Sequence, residues 1–368
     1  MDQNLLYQIG ITLVKGIGNI TARQIIETLG DVSLLFKEKP AVLERIPCIS
    51  KKTVTEIHRP EVLKRAEEEI EFISKNRINA LYIYDESYPA RLKDCVDAPV
   101  MLYYKGNAPL NVEKVISIVG TRNATAYGKE MVDKLISDWS KTYPDTLIIS
   151  GLAYGIDIYS HKAALREKMP TAGVLAHGLD RIYPPVHRNI AVQMIENGGL
   201  LTDFISLTNP DRQNFVKRNR IVAGLSDCTI VVESAKKGGA LITANIADSY
   251  HRDVFAVPGK ATDAYSQGCN TLIKSKRAAL VTEAEDIFKE MCWMKDKKPQ
   301  TPVQRSFLID LSADEQMVVD MLAKTEEMQL NILCIELNIS ISKLAPLLFE
   351  LEMKGIVRCL PGGIYRLI

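Results

Sequence analysis

Val115-Ile116-Ser117-Ile118-Val119-Gly120-Thr121-Arg122 reads as an apolar strand closed by a glycine turn, and the residues from Ala126 to Trp139 follow with the helical spacing of Met131, Leu135 and Ile136. Such a turn aims free backbone N–H groups and the positive end of the helix dipole at whatever lies above it. Arg122 adds a planar fork that can grip a phosphate. The scheme repeats: after Leu147-Ile148-Ile149, Ser150-Gly151 permits close backbone approach, and Gly155-Ile156-Asp157 opens a helix through His161, Ala164 and Leu165. Asp157 is expected as the N-cap of that helix. Val174-Leu175-Ala176-His177-Gly178 is a third glycine-bearing strand end, and Lys236-Lys237-Gly238-Gly239-Ala240-Leu241-Ile242-Thr243 is a further glycine turn opening a helix.

Working outward, strand patterns recur at Leu81–Tyr84, Val100–Tyr104, Val115–Val119, Thr146–Ile149, Ala172–Leu175, Leu200–Thr202, Thr229–Val232, Val254–Val257 and Ala279–Val281, mostly separated by helical segments. That alternation predicts an α/β fold with a doubly wound, mostly parallel sheet. Ligands of such sheets sit at the carboxyl ends of the strands, where the glycine turns fall. Several such turns at one sheet edge, with cations among them, suit an extended polyanion better than one nucleotide.

The segment Phe215-Val216-Lys217-Arg218-Asn219-Arg220 concentrates three cations ahead of the apolar stretch Ile221-Val222-Ala223-Gly224-Leu225, which is read as the helix. Packed cations repel one another unless water or an anion sits among them. A solvated basic cap, with Arg218 in a structural ion pair, satisfies the same pattern. Phe215 is either a stacking face for a base or a core residue.

Residues 1–72 read as short helices. Leu13-Val14-Lys15-Gly16-Ile17-Gly18-Asn19-Ile20-Thr21 carries the glycine–apolar–glycine turn of a helix-hairpin-helix (SAM-like) unit, with Ala22, Ile25, Ile26 and Leu29 as the apolar face of its second helix; Ile46-Pro47-Cys48-Ile49-Ser50 echoes it without glycines. The turn amides of such a unit can hold a DNA phosphate, and a plain packing module fits equally well. Residues 73–292 hold the α/β pattern. A polar, proline-broken linker is expected at 293–308, including Lys295-Asp296-Lys297-Lys298-Pro299. Residues 309–368 predict three helices, the first capped at Leu311-Ser312 and the others near Leu330–Leu337 and Ser342–Lys354. A hairpin follows through Pro361-Gly362-Gly363, giving the outline of a winged helix. From Asp310 onward that unit has nine acidic and five basic residues. A groove-reading helix needs a basic face, so a protein-contact or accessory role is expected here.

Composition narrows the classes. The chain has 368 residues and a net charge of +1, so affinity for nucleic acid must come from local basic patches. Its seven cysteines are scattered without C-x-x-C spacing, which suits reduced thiols in a cytoplasmic protein and indicates neither a disulfide framework nor zinc. Its apolar runs are short of membrane-spanning length, and Met1-Asp2-Gln3-Asn4 does not read as a signal peptide.

The motifs SIVGTRNATAYG, ISGLAYGIDIYSHKAAL, GVLAHGLDRIYPPVHRNIA, FVKRNRIVAGLSDCTIVVES, GGALITANIA, VFAVPG and QGCNTLI stand in the order of the DNA-processing protein A (DprA, or Smf) family, which the chain resembles from about Leu81 to Ile287. The resemblance implies an extended Rossmann-like domain that binds single-stranded DNA, forms a homodimer, and helps load the RecA recombinase in natural transformation, without a cofactor, a metal or a catalytic residue. It assigns DNA contact to Gly120 and Arg122 in the first turn and to Ser150, Gly151 and Gly155 in the second. Phe215, Lys217, Arg218, Asn219 and Arg220 match the basic segment, and Gly239 and Thr243 the later turn. Many members have Ser-Gly-Ser before Leu-Ile-Thr where this chain has Gly238-Gly239-Ala240, with Lys236 and Lys237 available to compensate by charge. On this reading successive phosphates lie along the turns of Gly120, Ser150 and Gly239, neutralised by Arg122, Lys217 and Arg220.

The alternative is an enzyme, a lonely-guy-type nucleotide phosphoribohydrolase of related fold. Its G-G-x-G-T-x-x-E turn would need an acid where Asn245 stands. The dinucleotide fingerprint G-x-G-x-x-G is not met at Gly120-Thr121-Arg122, and Ser150 and Ser206 lack a nucleophile elbow. His161, His177 and His187 fall in different turns and read as ordinary polar or capping residues.

Overall fold

The computed structural model describes residues 3–294, 311–325, 327–360 and 363–367. Six helices come first: α1 (Gln3–Leu13), α2 (Asn19–Leu29), α3 (Leu34–Lys37), α4 (Pro40–Leu43), α5 (Lys51–Ile57) and α6 (Pro60–Asn76). The α1–α2 turn needs Gly16, whose φ is +91°. Ala22, Ile25 and Ile26 form the buried stripe of α2, as their spacing predicts, and Leu29 packs partly buried beside them. In the glycine-free echo, Ser50 instead caps α5 by accepting the Thr53 N–H at 3.1 Å. These helices bury Ile9, Leu35 and Ile57 in the same core cluster as Leu102 and Tyr103 of the sheet, so residues up to Met294 form one compact unit.

The sheet has nine strands: β1 (Asn79–Tyr82), β2 (Met101–Gly106), β3 (Val115–Val119), β4 (Leu147–Ser150), β5 (Thr171–Val174), β6 (Gly198–Thr202), β7 (Cys228–Val231), β8 (Asp253–Ala256) and β9 (Ala279–Leu280). The intervening helices are α7 (Ala90–Lys93), α8 (Ala126–Thr142), α9 (Ile156–Arg166), α10 (Arg188–Glu196), α11 (Arg212–Gly224), α12 (Gly239–Ser249), α13 (Gln267–Lys274) and α14 (Ala284–Glu290). Their order, β1-β2-β6-β5-β4-β3-β7-β8-β9, is parallel from β6 to β9, with β1 and β2 added antiparallel at one edge. All nine expected strands are present, β3 with the expected ends and the others with an end shifted by at most two residues.

Strands β3 to β7 are buried throughout because helices cover both faces. Ile116 and Ile118 face a core made with Val132 and Ile136 of α8 and Ala163 of α9. Val115 and Val119 face the opposite core, with Val222 of α11 and Ala244 of α12. The chain runs from β3 outward to β4 and later returns to place β7 on the other side of β3. A crevice opens above such a reversal of strand order.

The second unit contains α15 (Ala313–Thr325), β10 (Glu327–Gln329), α16 (Leu330–Leu337), α17 (Ile341–Met353), β11 (Val357–Leu360) and β12 (Ile364–Leu367). Ser312 caps α15 reciprocally with Glu315, at 3.3 and 2.8 Å. Val318, Leu322, Leu333, Leu344, Leu348, Leu351 and Val357 make the core. The hairpin is joined by β10, a short strand that sequence did not suggest and that pairs with β12. On α17 the exposed side carries Phe349 and Met353, 64% and 74% exposed. Pro361, Gly362 and most of the expected linker lie outside the described residues. No single helix among the described residues is long and apolar enough to cross a membrane.

Candidate nucleic-acid interface

The crevice is a cleft of about 640 Å³ above the ends of β3, β4 and β7. Its first wall is the β3–α8 turn. A Cβ on Gly120 would collide with Ile156, so glycine lets β3 pass directly beneath α9. Thr121 donates its N–H to the Glu233 carbonyl at 2.8 Å. The buried Glu233 carboxylate accepts from the N–H and the hydroxyl of Thr125, which itself caps α8 through Gly128 N. This anchoring leaves Arg122 exposed at the rim, its guanidinium 5.1 Å from the centroid of the Phe215 ring.

The floor is the β4–α9 turn. Ser150 is fully buried and donates to the Ile118 carbonyl at 2.6 Å, so it braces two strands and does not line the cleft. Gly151 does line it, and a Cβ there would collide with the Arg218 guanidinium. Gly155, at φ +76°, occupies the N-cap position expected for Asp157 and packs against the Thr121–Arg122 backbone. Asp157 falls two residues past the cap site, within the first turn, and is buried, accepting the Ala153 N–H at 3.4 Å. Burial pushes its carboxyl above the usual carboxylate range, and the positive charge of Arg218 opposes that push.

The third wall is α11, and it corrects the expectation that the basic segment precedes its helix. The segment lies inside α11, and a 3.6-residue period distributes its side chains around the axis. Arg212, Phe215, Val216, Arg218, Asn219 and Val222 line the cleft. Lys217 and Arg220 do not. Arg220 pairs with Asp203 at 2.6 Å and donates to the Asp97 carbonyl, so a carboxylate already occupies the fork expected to meet a phosphate. Arg218 is 4% exposed, donating Nη1 to the Val174 carbonyl at 2.5 Å. It electrifies the floor from below.

The last wall is the start of α12. Gly238 is its N-cap, Gly239 stands in open space, Lys237 is exposed, and Thr243 is buried behind them, all lining the cleft. The absent hydroxyls of the Gly238-Gly239-Ala240 turn leave backbone N–H groups as its donors. Tyr183 and Arg212 also line the cleft and were missed. Arg212 follows from the helical face of Phe215 and Asn219 once α11 is extended N-terminally; Tyr183 lies in the HGLDRIYPPVHR stretch with no periodicity to point to it.

The lining therefore has Arg122, Arg212 and Lys237 at the mouth and Arg218 in the floor. Its one carboxylate among the described residues is Asp157, engaged with Arg218. The histidines serve packing: His161 Nδ1 meets the Thr171 hydroxyl at 2.7 Å, His177 Nδ1 the Gly178 carbonyl at 2.8 Å, and His187 Nδ1 the Leu152 carbonyl at 2.9 Å. Among the described residues no three His, Cys, Asp or Glu side chains gather as a metal site.

A doubly wound, mostly parallel sheet with a cationic, amide-rich crevice at its switch point defines a Rossmann-like protein. The model of the DNA recombination-mediator protein A family matches residues 79–292, and that of the DprA winged helix domain matches 301–363; the chain belongs to this family. It is 42% identical to the DNA processing protein DprA of Bacillus subtilis over 215 residues, covering 58% of this chain and 71% of that one. It is 34% identical to the protein Smf of Escherichia coli over 295 residues, 77% and 75% of the two chains. The X-ray structure of DprA from Streptococcus pneumoniae superposes with a TM-score of 0.63 at 30% identity, covering 79% of this chain and 98% of that one. A Helicobacter pylori DprA structure, described for its single-stranded DNA binding mode, gives 0.53 at 26% identity over 59% of this chain and 96% of that one.

Proposed function

We propose that the chain binds single-stranded DNA without sequence preference, through the cleft and without making or breaking a bond. The observation that carries this reading is the joint placement of Arg122, Arg212 and Lys237 with the Phe215 and Tyr183 rings around one open crevice, whose single carboxylate is turned inward. Cations and the free N–H groups of α12 take phosphates, while the half-exposed rings, 6.0 Å apart, offer faces to bases. Duplex DNA buries its base faces, so the rings favour unpaired strands.

Family membership supports the rest of the proposal: a homodimer that protects incoming DNA in the cytoplasm and helps load RecA recombinase during transformation. In the winged helix, α17 presents Phe349, Met353 and Glu350 where a DNA reader would carry cations, which favours a protein-facing role. The test is fluorescence anisotropy of a labelled oligothymidine against the matched duplex. Preference for the single strand supports the reading and equal affinity contradicts it. Incubation with nucleoside monophosphates addresses the hydrolase alternative: release of free base would overturn the non-catalytic assignment.

A further inference from the structure

We propose that the strand leaves the cleft over the seam between α8 and α9, where Lys129, Tyr159 and Lys162 form a second, outer subsite for its backbone. This rests on the single-stranded DNA reading above. The seam starts at the cleft: the N–H of Ile156 at the head of α9 donates to the Thr121 carbonyl at 3.1 Å, beside Arg122. Tyr154, 49% exposed, lies in the turn that leads into α9, its ring 5.1 Å from that of His187. About one turn into α8, the Lys129 ammonium lies 4.7 Å from the centroid of the Tyr159 ring, and nearly two turns into α9 the Lys162 ammonium lies 5.5 Å from the same centroid.

Two ammonium groups around one ring repel each other, and water or an anion among them relieves that repulsion. The neighbouring carboxylates do not: Arg166 holds Asp133 at 2.9 Å and Glu167 at 3.7 Å. Neither lysine has an ion-pair partner among the described residues. Two cations without carboxylate partners, facing one half-buried ring on the seam that leads from the cleft, have the basic–aromatic interleaving that tracks an unpaired strand. A rigid small anion would need one focused pocket; a flexible backbone suits cations spread along a seam.

The test compares oligothymidines of about six and about twenty nucleotides, bracketing the reach of one cleft. Lys129→Gln with Lys162→Gln keeps both stems and removes both charges. The longer oligomer should lose roughly 25-fold in affinity at 0.1 M salt, with the log–log salt slope shallower by about 1.4, because each single-strand phosphate contact contributes about 0.7. The shorter oligomer should bind as to the wild type, and thermal melting should be unchanged. An unaltered slope on the longer oligomer overturns the subsite while leaving the cleft intact. Equal losses on both lengths also overturn it, and wild-type failure on both lengths sinks the cleft and the subsite together.

Discussion

The guanidinium of Arg122 lies over the ring of Phe215, 5.1 Å from its centroid, joining the first glycine turn to α11 across the cleft. The phosphate fork and the stacking face are thus held against each other before any ligand arrives. On the proposed reading an incoming base would compete with Arg122 for the ring, and the displaced guanidinium would be free to meet the adjacent phosphate. Phe215→Ala should weaken single-strand binding by ~1–3 kcal/mol on every sequence tested. Arg122→Lys should bind less tightly than wild type, because an ammonium neither forks nor stacks as a guanidinium does. Titration of both variants on homopolymers of different base checks this; a loss confined to one base contradicts it.

Arg220 separates stability from binding. Its pair with Asp203 is mostly buried, each side chain 12% exposed, and removing one partner of such a pair costs about 3–5 kcal/mol. Arg220→Ala should therefore lower the urea midpoint while leaving the salt slope of DNA binding unchanged. A shallower slope in folded protein would return Arg220 to the interface.

Gly151 has the converse role. A side chain there meets the Arg218 guanidinium, which is fixed beneath it by Val174 and Asp157. Gly151→Ala should cost ~1–3 kcal/mol of stability through overpacking and weaken binding by shifting the cleft floor. A variant as stable as wild type would show that the floor yields.

His161 predicts an acid-limb effect. Burial holds its pKa down at about 3, below the ordinary 6.5. The unfolded chain therefore binds a proton that the folded chain refuses, and stability falls as pH drops from about 6.5 towards 3. The raised pKa of Asp157 acts with the opposite sign, so the comparison must be made against one variant. His161→Asn should flatten the wild-type dependence of unfolding free energy across that window. Parallel curves would show that His161 does not titrate on unfolding.

Much of this was legible in sequence, for definite reasons. The strands could be read because each is a short apolar run ending in a turn; a side chain would meet Ile156 at Gly120 and Arg218 at Gly151, and would project into open space at Gly239. The winged helix followed from amphipathic spacing around Leu322, Leu333 and Leu348. The direction of each cation could not be read. Phe215 to Arg220 looks like one basic cluster until its helix is known, and only the helical period separates Asn219 and Arg218 from Lys217 and Arg220. Gly155 displaced Asp157 from the cap because the turn needs φ +76° at that position, a constraint set by the Thr121–Arg122 backbone across the sheet edge. Tyr183 and the strand β10 depend on long-range packing that no local pattern announces.

The most direct test of a cleft that cradles an unpaired strand is the salt dependence of oligothymidine affinity for wild type and for the double variant Arg122→Ala, Lys237→Ala. Loss of two phosphate contacts should make the log–log slope shallower by about 1.4, with duplex affinity low throughout. An unchanged slope in a double variant that melts like wild type would contradict the placement of the site.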